Sequence, residues 1–153
     1  MLKYLFNIKN HPYNRAAKKF RQLRYLDQGN QECQLAIAEI NKLCREALIL
    51  NKYDGDAHVL LANVYLLAAF SDLQEFNSEG YVHNMSHCAA VIYEWKIYPR
   101  MYSKEKENGE KIYQRVINAL EEPLPDWMNM GLPNDISKLH KDYYAKAIGL
   151  EKT

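Results

Sequence analysis

Glycine is scarce in this chain of 153 residues: there are six, with five prolines and three cysteines. So few glycines leave little material for tight backbone cradles. There is no phosphate-binding glycine loop, no Gly-x-Ser-x-Gly turn and no Cys-x-x-Cys pair. The three cysteines, Cys33, Cys44 and Cys88, are irregularly spaced, which argues against a disulfide framework and for a reducing, cytoplasmic setting. Net charge is only +1, so no global field points to nucleic acid or to a membrane surface. The most apolar segment, Val59 to Phe70, is short for a bilayer span and contains Asn63. The apolar start, Met1 to Lys9, is short for a secretory signal and is followed by no small-residue cleavage site. No stretch alternates polar and apolar residues with the period of a strand.

Helical spacing is what remains. Apolar residues recur at three and four positions in six segments, about 12–26, 31–51, 56–70, 81–98, 103–120 and 135–150. Pro12 suits the first turn of a helix, and Asp27-Gln28-Gly29-Asn30 suits the end of one. Pro99 is expected to stop the fourth helix. Residues 71–80 read as a turn or frayed end with one broken helical stretch. Residues 121–134 hold Pro123, Pro125, Pro133 and Gly131 and read as a loop. That loop also carries Leu124, Trp127, Met128, Met130 and Leu132, so it is expected to pack on the body. The whole chain, 1–153, reads as a single all-α domain of about six helices in antiparallel hairpins. The arrangement is either a right-handed array or an irregular bundle, with a hairpin core at about 31–70 and C-terminal helices over 81–150.

The centre of that reading is Ala47 to Phe70. Ile37, Ile40, Leu43, Cys44, Ala47 and Leu48 form one helix face; Ala57, Leu60, Leu61, Val64, Tyr65 and Ala68 form the next. Asn51, Asp54, Gly55 and Asp56 lie between them. Asp54 or Asp56 is placed to cap the second helix, and Gly55 to take a positive φ. A short link between amphipathic helices turns them antiparallel, apolar face to apolar face.

These residues resemble the junction between two tetratricopeptide repeats. Ala47-Leu48 falls where that family ends a second helix. Ala57, Leu61, Ala62 and Tyr65 fall where its next first helix carries small, Leu, small and Tyr. The sequence departs from the pattern at Lys52, where Pro is usual, and at His58, where Trp is usual. The period of about 34 residues does not recur elsewhere. The resemblance implies a helix-lined groove that takes a peptide or helix, with Asn63, and beside it Tyr65 and His58, as groove residues. The family's clamp for a C-terminal carboxylate also needs a Lys where this chain has Val59.

Three other constellations stand apart from this hairpin. Residues 1–26 carry Lys3, Lys9, Arg15, Lys18, Lys19, Arg21 and Arg24 and no acid; residues 54–92 carry Asp54, Asp56, Asp72, Glu75 and Glu79 and no Lys or Arg. Arg15, Lys18, Lys19, Arg21 and Arg24 therefore form a candidate basic patch for an acidic partner or phosphate. Tyr93, Trp95, Lys96, Tyr98, Arg100, Tyr102 and Lys104 interleave aromatic and basic residues, a mix that suits nucleic acid. On a helix these residues point in different directions, so core packing is the preferred reading. His83 and His87, one turn apart and next to Cys88, form a possible metal half-site or the centre of a small enzyme, with His140 as a further ligand. Asn84 stands where a metalloprotease motif has its general base. The preferred expectation is a non-catalytic interaction module with no cofactor, a protein or peptide partner, self-association into a dimer as an option, and neither membrane nor nucleic acid as partner.

Overall fold

The computed structural model describes residues 10–26, 31–98, 104–122, 124, 126–129 and 134–151. Helix α1 is Pro12–Gln22, extended by a 3-10 turn at Leu23–Tyr25. It is followed by α2 (Gln31–Leu50), α3 (Gly55–Gln74), α4 (Ser78–Ile97), α5 (Lys106–Glu121), the single turn α6 (Asp126–Asn129) and α7 (Asn134–Glu151). The described residues contain no strand. The fold is all-α, as the three-and-four spacing requires. The expected arm at 1–9, the turn at 27–30 and the stop at Pro99 lie outside the described residues.

Short connections set the antiparallel pairing. Asp54 caps α3: its side chain accepts from Ala57 N at 3.0 Å. Asn51 Oδ1 accepts from Tyr53 N at 3.0 Å, which closes an Asx turn before it. Gly55 is the first residue of α3. Asp56 does not cap its own helix. Its Oδ1 accepts instead from Glu105 N, at 3.2 Å, at the entry to α5.

The link between α3 and α4 is shorter than a frayed end would give. α3 runs one turn past Phe70, and α4 begins after only Glu75, Phe76 and Asn77. Asn77 N donates to Asp72 O at 2.8 Å and Phe76 N to Leu73 O at 3.2 Å. This is a Schellman ending, with Phe76 (φ 58°) in the left-handed position that glycine usually fills. Asn77 then caps α4 through Gly80 N.

The core is centred on α3, buried on most of its circumference, with Val59, Leu61, Ala62, Val64 and Leu66 inside. α4 contributes Val82, Met85, Cys88, Ala89, Ile92 and Tyr93; α5 contributes Ile112, Val116 and Leu120. α3 is the one described helix long and apolar enough to cross a membrane. More than half of its apolar window is buried inside the protein, as a central core helix requires. Met128 of α6 is fully buried and Leu124 packs on the core, so the proline-rich loop does pack on the body. α1 pairs with α2 and α3 with α4, these two pairs touch through α2–α3, and α7 packs on both α4 and α5, more extensively on α4. α1, α3 and α5 are also in mutual reach through α3.

Candidate functional site

One side of α3 borders two clefts. Asp56, Val59, Leu60, Asn63, Leu67, Phe70, Ser71 and Gln74 each have another of the set three or four residues away, so they lie along one side of the helix. The stripe floors two clefts. The narrower, about 210 Å³, lies between Tyr13, Ala17, Phe20 and Arg21 of α1, the first half of the stripe, and Glu105 and Asn108 at the start of α5. The wider, about 440 Å³, lies between Phe20, Leu23 and Arg24, the second half of the stripe, Cys33, Gln34 and Ile37 of α2, and Arg115 of α5. Phe20 lines both, so the two clefts adjoin at that side chain.

The two halves differ in charge. The narrow half has Asp56 and Glu105 facing Arg21. Tyr13 registers the field there: burial first, then Asp56, Glu105 and Asp54, push its hydroxyl up to about 12. The wide half has Arg24 and Arg115 and, among the described residues, no carboxylate in its lining. Arg115 sits 5.8 Å above the Phe70 ring, and Arg24 donates to Tyr25 Oη at 2.8 Å. Among the described residues neither arginine forms an ion pair.

Asn63 lies in the narrow half, half-buried, and no protein group hydrogen-bonds its amide among the described residues. Tyr65 and His58 do not join it. Tyr65 is two residues on, about 200° around the helix, and faces the other side. There it stacks on His87, 5.2 Å between centroids and 22° between planes, and its hydroxyl bonds Arg45 Nη2. His58 is buried at the start of α3. Its Nδ1 donates to Asp54 O at 2.8 Å, and its Nε2 faces Glu94 at 3.7 Å. Both are structural links between helices rather than groove residues.

The basic patch divides. Lys19 pairs with Glu39 of α2 at 2.7 Å and holds that carboxyl below its ordinary range. Arg21 and Arg24 line the groove, one in each half, while Arg15 and Lys18 are exposed on α1. The side chains of the aromatic-basic stretch divide. Tyr93 and Trp95 are buried, Lys96 pairs with Glu110 at 2.7 Å, and Arg100 and Tyr102 lie outside the described residues.

His83 and His87 are exposed, but Cys88 is not beside them. Neighbours on a helix point about 100° apart, and Cys88 turns inwards to donate from Sγ to Ala62 O at 3.1 Å. His140 is buried against the Leu120 carbonyl of α5, and burial lowers its pKa. Among the described residues no three His, Cys, Asp or Glu side chains gather into a group that would hold a metal. Sequence reasoning missed Phe20, Leu67, Phe70 and Arg115 as groove residues. The three-and-four stripe on α3 carried a signal for Leu67 and Phe70, whereas Arg115 comes from a helix 41 residues beyond Gln74. Compared with models of known protein families, with characterised proteins and with solved structures, the chain matches none.

Proposed function

We propose that the chain is a non-catalytic interaction module, tetratricopeptide-like in design, that holds a peptide or helix of another protein in the groove along α3. One observation carries the reading: a continuous stripe from Asp56 to Gln74, lined on both sides, with apolar side chains at its base and amides at its edges. At the rise of an α-helix the stripe is about 27 Å long. That length suits a helix of several turns or an extended segment better than a small metabolite. The alternation of α1, α3 and α5 along the groove supports the same reading.

The test is selection from a display library of random peptides, about 18 residues long to match the stripe, on the purified chain. Enriched peptides are then re-screened on Leu67→Asp and Asn63→Ala, each checked for an unchanged circular dichroism spectrum. The reading expects peptides that bind the wild type and lose binding on the groove variants. Peptides that bind all three proteins alike, or no enrichment, would overturn it.

A further inference from the structure

The charge distribution along the groove narrows the partner. It rests on the groove reading above and goes further, to the chemistry of the bound segment. We infer that the groove takes an acidic amphipathic segment, its carboxylates over Arg24 and Arg115 and its apolar side chains on Leu67 and Phe70.

The observations are these. Leu67 and Phe70 give the wide half an apolar floor, and Arg24 and Arg115 stand on opposite walls, from the end of α1 and from α5. Among the described residues no carboxylate lines that half and neither arginine has an ion-pair partner. Arg115 lies over the Phe70 ring, which shields one side of the guanidinium from water and holds it beside the apolar floor. A carboxylate that reaches such a site meets planar donors over apolar ground, where a charge-assisted bond is stronger than in open solvent. At the far end two carboxylates, Asp56 and Glu105, stand against one cation, Arg21, and after burial they add to the rise of the Tyr13 hydroxyl. A uniformly acidic ligand is repelled there. The segment is therefore acidic at the end lying toward Gln74 and neutral or basic at the end lying toward Asp56. A second copy of this chain would have to offer an exposed acidic, apolar helix face. α1 carries a basic face instead.

The experiment reads the charge of the selected peptides. The display selection is run on the wild type. Enriched clones are synthesised and titrated against wild type, the double variant Arg24→Gln/Arg115→Gln, and the control Arg15→Gln/Lys18→Gln, which removes the same charge from the exposed face of α1. Leu67→Asp and Ser71→Trp, one polar and one steric, define which clones use the groove; thermal unfolding confirms that each variant folds. The expected result is that groove-dependent clones carry net negative charge in one half. They weaken about tenfold for each arginine removed and less than threefold on the control. Replacing their Glu by Gln reproduces the loss on wild type and has little effect on the double variant. Groove-dependent clones that are neutral or basic, or that weaken equally on the control, overturn the acidic partner and leave the groove standing. If no clone depends on Leu67 or Ser71, both readings fall.

Discussion

The ring of Tyr65 lies flat against the imidazole of His87, 5.2 Å between centroids, and its hydroxyl is bonded to Arg45, so one side chain joins α2, α3 and α4. The position has a pH consequence. Burial first, then the positive fields of Arg45 and His83, hold the His87 pKa below its ordinary 6.5. His140 is lowered too, by burial, against the opposing pull of the Leu120 carbonyl. Both groups bind a proton more readily in the unfolded chain. Their contribution to stability is therefore complete above the ordinary value of 6.5 and is lost as pH falls from there through the folded values. Glu39 acts in a separate window, below its ordinary 4.5. The melting temperature should fall between about pH 7 and pH 5, and His87→Gln should flatten that slope. An unchanged slope in the variant would show that His87 takes no part.

The thiols give a prediction that bears on catalysis. Burial pushes Cys88 up to about 12, and its Sγ is engaged with the Ala62 carbonyl. Burial, with Asp54 nearby, pushes Cys44 up to about 12 as well. Thiolate is the reactive form. In native protein at about pH 8, a thiol reagent should label neither Cys44 nor Cys88, while denatured protein should label all three cysteines. Rapid labelling of native Cys88 would bring back the enzyme centred on His83 and His87.

Two helical glycines should respond in opposite directions. An ideal Cβ on Gly109 would lie 2.5 Å from Trp95 Cζ2, and Trp95 is 6% exposed and fixed between α4 and α5. Alanine gains roughly 1 kcal/mol in helix propensity. Overpacking against a rigid ring costs about 1–3 kcal/mol, so the clash should win. An ideal Cβ on Gly149 meets nothing within 4 Å. Gly109→Ala should lower stability in urea, with a shift in Trp fluorescence, and Gly149→Ala should raise stability by up to about 1 kcal/mol. A stabilised Gly109→Ala would mean that α5 shifts to make room.

Much of the architecture was legible because it is written locally. The α2–α3 link carries Asn51 and Asp54, and both side chains make the turn and cap bonds their types suggest. The apolar loop residues announced that 121–134 would pack, and Met128 does. The α3–α4 turn was hidden because Phe76 occupies a position whose usual signal is glycine, so a tight Schellman ending read as a broken helix. At the site, Asn63 was placed in the groove. Tyr65 and His58 were misplaced because a resemblance supplies residue types while helix phase decides their direction. The basic region reads as one patch in the sequence, yet Lys19 pairs with Glu39 and Arg24 lines a cleft with Arg115. Such pairings cross tens of residues, and no local pattern records them.

Asn63 separates binding from stability. Its amide is half-buried in the narrow cleft, and no protein group bonds it among the described residues. Removing it therefore leaves no buried partner unsatisfied, and alanine is the better helix former. Asn63→Ala should change the melting temperature by no more than a few degrees, since about 1 kcal/mol moves a protein of this size by about 2–4 °C. A groove-bound peptide should weaken by about threefold to tenfold, the worth of one ordinary hydrogen bond. Tyr65→Phe offers the converse. It deprives Arg45 of its bond on the far side of α3, so it should lower the melting temperature and leave peptide affinity within twofold. The two variants are measured side by side by thermal unfolding and by fluorescence anisotropy. If Asn63→Ala melts well below wild type with unchanged affinity, Asn63 is a packing residue and the groove recognises its ligand without it.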